Sequence, residues 1–193
     1  MKALLIVIVL VALVVLWVIS VQRKLVEKDE LCKNALSQIG VQQASRWDAL
    51  TALVELVKSY NEHEYNTLRD VIAQRKNITG ESTVAEAQAQ EQVLTGLVRN
   101  INLVAEQYPE LKANENYAKA MDSVNLYENQ VRLSRMTFND TVTKFNKEIR
   151  QFPTSLVAGL LGFKTRDYLD EAVGKSDMPT ISTRPSASRT CLR

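Results

Sequence analysis

The residues best suited to chemistry form a short cluster around the single histidine of the chain. His63 lies between Glu62 and Glu64 in the stretch NEHEYNT. A histidine beside carboxylates can bind Zn²⁺ or act as a general base in hydrolysis. The zinc-protease pattern requires a second histidine four residues later, where this chain has Thr67. We therefore favour a solvated His63, and we keep a cryptic hydrolase or metal-binding protein centred on His63 as the alternative hypothesis.

Other catalytic and cofactor-binding patterns do not emerge from the sequence. Cys32 and Cys191 lie far apart without metal-ligand spacing, an arrangement typical of a reducing compartment. The 6 glycines are scattered and form no phosphate-binding loop. The net charge of +2 gives no sign of nucleic-acid binding. We predict no catalytic, cofactor-binding or metal-binding residue, no nucleic-acid partner and no enzymatic activity.

The segment from Ala3 to Val21, ALLIVIVLVALVVLWVISV, contains no charged residue. As a helix it would be about 28 Å long, which matches the hydrocarbon thickness of a bilayer. A cleaved signal peptide would have a basic start and an apolar stretch of roughly 7–15 residues. This segment is longer, and Lys2 is the only cation before it. We therefore predict an uncleaved transmembrane anchor over residues 1–24, with residues 3–21 in contact with lipid.

Cations flank this segment unequally. Only Lys2 precedes it, whereas four cations follow it closely: Arg23, Lys24, Lys28 and Lys33. Cytoplasmic flanks carry the excess of lysine and arginine in membrane proteins. The sequence therefore predicts a single-pass protein whose soluble part, including Cys191, faces the cytoplasm.

The soluble part has apolar residues at helical spacing and no strand alternation, so we predict an all-α bundle over residues 25–173. Its first helical stretch has one candidate break near Gly40–Asp48, where a polar patch precedes a capping-box pattern. The sequence leaves open whether residues 25–77 form one helix or two. The next helix should begin at the capping box Thr83–Glu86, and Pro109 should end it.

A third helix is predicted from about Asn114 onwards. Its apolar stripe has the spacing of helices packed at a shallow angle and comprises Val124, Val131, Phe138, Val142, Phe145, Ile149 and Phe152. Glu128 and Arg135 occupy two further positions of this stripe. For both we favour a structural role, with charge partners on neighbouring helices, over a ligand site. The antiparallel up-and-down bundle then has three long helices, or four if the first stretch breaks near Gly40–Asp48.

A short apolar run, FPTSLVAGLLGF (152–163), follows the third helix. With four bundle segments it would lie beside the membrane and contact lipid through the following residues: Leu156, Val157, Leu160, Leu161, Phe163, Lys164 and Arg166. With three segments it would lie at the far end, where it would cap the core or contact a protein. The sequence leaves both interpretations open.

The tail, residues 174–193, is rich in Ser, Thr, Pro and Arg and shows no apolar period. This composition predicts a disordered basic tail.

Several motifs resemble those of the LemA family of bacterial membrane proteins. The stretch NALSQIGVQQASRWDALTALVELVKSYNEHE (34–64) contains Arg-x-Asp and Leu-Val-Glu-x-Val-Lys-x-Tyr elements. The stretch LYENQVRLSRMTFNDTVTKFNKEIRQFPTSLVAGLLGFKTRDYLD (126–170) contains Phe-Asn-Asp, Phe-Asn, Phe-Pro and Gly-Phe-Lys in order. Trp47 and Thr51 depart from the residues usual in the family, a histidine and a proline. The resemblance covers about residues 28–170.

The resemblance implies a single-pass membrane protein with a long helical bundle, and it implies no reaction and no catalytic residue. Together with the anchor and the apolar stripe, it favours a non-catalytic scaffold or interaction module at the bacterial cytoplasmic membrane. The expected partners are the lipid bilayer and an unknown protein or a second copy of the chain.

Overall fold

The computed structural model describes residues 2–170, which form six helices and no strand. The helices are α1 (Lys2–Val57), α2 (Glu62–Ile72), α3 (Val84–Gln107), α4 (Pro109–Lys112), α5 (Glu115–Arg150) and α6 (Thr154–Leu161). The all-α prediction is confirmed. The predicted disordered tail, residues 174–193, lies outside the described residues.

Helix α1 continues from the apolar segment through Val57 without interruption, so the candidate break near Gly40–Asp48 is wrong. The Ser45 hydroxyl does not cap a new helix there, because it donates a hydrogen bond to the carbonyl oxygen of Val41, one turn earlier, at 3.2 Å. The break lies instead at residues 58–61. There the Asn61 side chain accepts hydrogen bonds from the backbone N–H groups of His63 at 2.8 Å and Glu64 at 3.2 Å, which caps α2.

Gly40 is buried inside α1 for a different reason from the one the sequence indicated. The carbonyl group of Ile78 approaches its Cα so closely that a Cβ would overlap the carbonyl oxygen. The loop between α2 and α3 thus packs directly on the backbone of α1 at this position. A glycine inside a helix can mark a close backbone approach as well as a helix end.

The helices alternate in direction. Helix α3 runs parallel to α1, since Gln43 contacts Ala87 and Arg46 contacts Glu91. Helix α5 runs antiparallel to α1, since Arg46 contacts Glu128 and Lys28 contacts Glu148. The short α2 returns the chain between α1 and α3, so four segments alternate even though α1 is unbroken.

We call the end of the bundle at Val21 and Leu25, next to the apolar segment, the proximal end. The apolar run 152–163 lies there, because Val157 and Ala158 share a hydrophobic cluster with Val21 and Leu25. An unbroken first helix was predicted to place this run at the far end. That prediction is wrong, because α2 supplies the extra reversal of direction.

The other predicted helix boundaries are confirmed. Thr83 and Glu86 form a reciprocal capping box at the start of α3, α3 ends at Gln107, two residues before Pro109, and the Asn114 side chain caps α5. Six positions of the predicted α5 stripe are buried: Val124, Val131, Phe138, Val142, Phe145 and Ile149. The seventh, Phe152, lies beyond the end of α5 and is 76% exposed.

Within residues 2–170, α1 is the only helix long and apolar enough to cross a bilayer, judged by length and composition. Its most apolar window has a mean hydropathy of 3.4. This helix is compatible with the predicted membrane anchor.

Candidate interaction surface at the proximal end of the bundle

Helix α6 separates the apolar run into a buried side and an exposed side. Val157 and Ala158 are 5% and 1% exposed, and Phe163 packs against the same cluster. The opposite side presents four large apolar side chains to the surroundings: Phe152 (76% exposed), Leu156 (61%), Leu160 (88%) and Leu161 (45%). We call these four residues the proximal apolar surface.

A glycine ends α6 and turns the chain back along α5. Gly162 has a φ of 78°, in the left-handed region, which a residue without a Cβ adopts at little cost. The backbone N–H of Phe163 then donates to the carbonyl oxygen of Ala158 at 3.0 Å, as in a Schellman cap. This turn explains why a Gly-Phe-Lys sequence directly follows the apolar run.

The chain after Phe163 lies along α5 and is attached there by two asparagines. The Asn146 side-chain amide donates to the carbonyl oxygen of Arg166 and accepts from its N–H, both at 2.9 Å. The Asn139 amide does the same for Leu169, at 2.9 and 3.0 Å. We call these two residues the asparagine clamp.

The spacing of the asparagine clamp follows from helix and strand geometry. Seven helical residues rise about 10.5 Å, and three residues of extended chain rise about 10 Å. Asn139 and Asn146 are seven residues apart, and their partners Leu169 and Arg166 are three apart. The side-chain amide of asparagine offers a donor and an acceptor side by side on one planar group, and here each asparagine satisfies both backbone groups of one residue.

The structure corrects part of the predicted lipid-contact set. Val157 belongs to the core, Phe163 is half-buried, and the Arg166 guanidinium donates to Asp29 of α1 at 2.8 Å. Lys164 is exposed, as are Leu156, Leu160 and Leu161. The run therefore combines both predicted roles, because one side caps the core and the other is accessible.

The two charges predicted to lie in the α5 stripe are at its edge. Glu128 is 54% exposed at its side chain and pairs with Arg46 of α1 at 3.0 Å. Arg135 is half-buried and donates to the carbonyl oxygen of Asp170. The expected charge partner on a neighbouring helix is confirmed for Glu128. It is wrong for Arg135, whose partner is a backbone carbonyl oxygen outside the helices. The expectation that these two side chains are themselves buried is wrong.

The buried charge is Arg46, which sequence reasoning missed. Its side chain is 1% exposed and bridges Glu91 of α3 at 2.8 Å and Glu128 of α5 at 3.0 Å. Gln43 donates to the second carboxylate oxygen of Glu91 at 3.1 Å. The available signal was the position of Arg46 in the sequence. It lies three residues after Gln43 and four before Leu50, which places all three on the same buried side of α1.

His63 lies in the first turn of α2, at the end of the bundle opposite the proximal end, and is exposed. Within residues 2–170 no three side chains of His, Cys, Asp or Glu come together as a metal site would require. The flanking carboxylates of Glu62 and Glu64 lie in the same first turn and help to start the helix.

Comparison with known proteins identifies the family. The LemA family model matches residues 35–182. The chain belongs to the LemA family. It is 25% identical to Protein LemA of Metamycoplasma hominis over 130 residues, which cover 65% of this chain and 58% of that protein. It is also 30% identical over 79 residues to the magnetosome proteins MamQ 1 and MamQ 2 of Paramagnetospirillum magneticum, covering 41% of this chain and 29% of each relative.

The chain therefore spans less than two thirds of the length of these curated relatives. The residues that carried the resemblance to LemA proteins now have structural roles. Phe138 and Phe145 fill the proximal core, while Asn139 and Asn146, which directly follow them, form the asparagine clamp.

Proposed function

We propose that this LemA protein is a non-catalytic, membrane-anchored scaffold that holds its helical bundle against one face of the bacterial cytoplasmic membrane. One observation carries the proposal: α1 runs without a break from the uncharged segment Ala3–Val21 into the bundle core. Val21 is buried in the hydrophobic cluster at the proximal end of the bundle, which we call the proximal cluster, and Val18 packs against it. Because no loop separates the two parts, the anchor would fix the distance and the tilt of the bundle relative to the bilayer.

The proximal apolar surface supports this placement. Its four side chains extend from the end of the bundle that adjoins the anchor, and Lys164 follows them directly. Apolar side chains beside cations suit the boundary between acyl chains and headgroups. We infer that Phe152, Leu156, Leu160 and Leu161 contact lipid at this boundary, with Lys164 at the level of the phosphates.

A nitroxide attached at Leu160→Cys should therefore be immersed in the bilayer. In nanodiscs that contain the full chain, we expect it to lie about 5–10 Å below the phosphate level, as measured by electron paramagnetic resonance with oxygen and nickel relaxants. The matched control is Leu103→Cys on α3, since Leu103 is also exposed (50%) but lies near the end of α3 that is remote from the proximal end. Equal nickel accessibility at both positions would contradict the lipid contact and leave the anchor itself untouched.

The cation distribution around the anchor supports a bundle that faces the cytoplasm. We expect a membrane-impermeant maleimide to miss Ser59→Cys, in a Cys191→Ser background, when it is added to intact cells. Ser59 is exposed in the turn between α1 and α2. After permeabilisation of the membrane the same cysteine should react completely.

Cys32 does not interfere with this measurement. Its side chain is fully buried, and burial raises the pKa of its thiol, which lowers its reactivity. The Cys191→Ser chain without the added cysteine should therefore stay unlabelled and serves as the control. Labelling of Ser59→Cys in intact cells would reverse the proposed orientation.

The scaffold role also requires a surface for a protein partner or a second copy of the chain. Leu126, Leu133 and Met136 offer one on the outer face of α5, where they are 56%, 57% and 61% exposed. Their spacing of seven and three residues places them on one side of the helix.

Stoichiometric Zn²⁺ binding that His63→Ala abolishes would contradict the non-catalytic proposal and support the alternative of a metal-dependent hydrolase.

A further inference from the structure

A cationic cavity lies between α5 and the segment that the asparagine clamp holds. Its volume is about 400 Å³, and its lining residues are Thr143, Asn146, Lys147, Arg150, Gln151 and Tyr168. All six carry polar groups and none is a carboxylate. Within residues 2–170 neither Lys147 nor Arg150 forms an ion pair, whereas the nearby Glu148 pairs with Lys28 on another side of α5.

The chemistry of the cavity favours a negative charge. Two cations, two side-chain amides, a hydroxyl and a phenol converge on one opening, and these groups are typical donors to phosphate oxygens. The side chains of Thr143 and Asn146 stabilise the phenolate form and hold the pKa of Tyr168 below its usual value, and Arg150 acts in the same direction. These contacts act in the direction that a bound anionic oxygen would also require.

The position of the cavity indicates that the anion is a lipid headgroup. Glu148 pairs with Lys28, which is seven residues beyond Val21. At about 1.5 Å per residue, Arg150 lies about 8 Å beyond the end of the apolar segment. The headgroup layer extends about 5–8 Å beyond the hydrocarbon on each side of a bilayer. Arg150 is therefore at headgroup depth if the anchor spans the membrane.

The exposed ring of Phe152 completes the surroundings. It follows Gln151, which lines the cavity, and it begins the proximal apolar surface. A phospholipid could place its phosphate between Lys147 and Arg150 while its acyl chains lie against Phe152 and α6. A soluble phosphate would contact only Lys147 and Arg150, and not Phe152 or α6.

We propose that this cavity binds the phosphate headgroup of an anionic phospholipid and so orients the bundle on the membrane. The inference rests on the proposed membrane anchoring, and it adds a lipid class and a binding site to it. The selectivity comes from Lys147 and Arg150, because a zwitterionic headgroup carries its own cation and offers no net charge.

The test uses the full chain in detergent micelles to which defined lipids are added. We expect phosphatidylglycerol to bind and to raise Tm, and phosphatidylcholine to do neither, as measured by native mass spectrometry and thermal unfolding. Lys147→Gln/Arg150→Gln should weaken phosphatidylglycerol binding about thirtyfold, since each cation near a membrane contributes about fivefold. The matched control is Arg132→Gln/Lys144→Gln, which removes the same charge from exposed positions of α5 outside this cavity.

Each contrary result has a distinct meaning. If inorganic phosphate raises Tm as much as phosphatidylglycerol does, the cavity is a site for soluble phosphate and the lipid proposal is wrong. An equal loss of binding in the control pair would show attraction by net charge alone, which also overturns the site. Membrane anchoring is measured separately, by carbonate extraction of wild-type chain from cell membranes. Release of the protein into the soluble fraction would refute the proposed membrane anchoring without changing the interpretation of the micelle experiment.

Discussion

Arg46→Ala should lower the free energy of unfolding by about 3–5 kcal/mol, because it breaks a buried ion pair. The guanidinium of Arg46 is 1% exposed and holds Glu91, whose side chain is 18% exposed. Without Arg46, the Glu91 carboxylate would have only Gln43 as a donor in a largely dehydrated site. The measurement is urea unfolding of the full chain in micelles, followed by circular dichroism.

A surface ion pair of similar length provides the control. Arg75 contacts Asp48 at 2.7 Å, but the two side chains are 33% and 69% exposed. Arg75→Ala should therefore cost less than about 1 kcal/mol. Arg46→Lys should recover part of the loss, because a single ammonium cannot bridge two carboxylates as a guanidinium does. Equal costs for Arg46→Ala and Arg75→Ala would show that burial does not decide the energetics here.

Local chemistry predicted most helix boundaries. The box Thr83–Glu86 satisfies free backbone N–H groups at the start of α3, and Pro109 cannot continue a helix, so both signals act independently of tertiary contacts. The apolar stripe of α5 was predictable for the same reason, since its period follows from helix geometry alone. These features were correct because no other part of the chain overrides them.

The first helix shows what sequence patterns could not predict. Gly40 and the polar residues after it indicated a break, yet the backbone of Ile78, 38 residues later, makes a small residue necessary there. The actual break was marked by Asn61, a good helix cap followed three residues later by Glu64. This break lets α2 reverse the chain direction once more. Because no break was predicted there from the sequence, an unbroken α1 was wrongly expected to put the apolar run 152–163 at the far end of the bundle.

The sequence also could not predict which charged residues are buried. Glu128 and Arg135 fit the α5 stripe by spacing, but spacing alone does not show which neighbour covers each position. Arg46 is buried because α3 and α5 meet on either side of it, a consequence of tertiary packing. A charged residue in a stripe of core positions on α1, between Gln43 and Leu50, was the signal for it.

The asparagine clamp could have been found from a repeated pattern. Phe-Asn occurs at 138–139 and again at 145–146, one heptad apart. The phenylalanines face the core, so the following asparagines must lie at the edge of the same helix face. What they bind was not predictable, because an extended segment such as 163–170 has no periodicity of its own.

Asn139→Ala/Asn146→Ala should release the segment that follows Phe163. Each substitution leaves one backbone N–H and one carbonyl oxygen without a partner in a partly buried site, at a cost of about 1–3 kcal/mol for each clamp position. Asn146 is 7% exposed, so its loss should be the larger. The segment holds Leu169 in the proximal cluster and, through Arg166, contacts Asp29. We therefore expect faster hydrogen exchange at the amides of Arg166 and Leu169, together with a lower Tm.

Asn129→Ala is the matched control, because Asn129 lies on the same helix and donates only to the Asn125 carbonyl oxygen one turn earlier. It should leave both amides protected and change Tm little. Asn146→Asp separates geometry from hydrogen bonding, since it keeps the shape but replaces the donor with an acceptor that repels the Arg166 carbonyl oxygen. If the Arg166 amide hydrogen exchanges as slowly in Asn146→Asp as in wild type, the side-chain amide donor is not what holds the segment. If it exchanges as fast as in Asn146→Ala, two-sided pairing with one backbone residue is the reason that asparagine occupies this position.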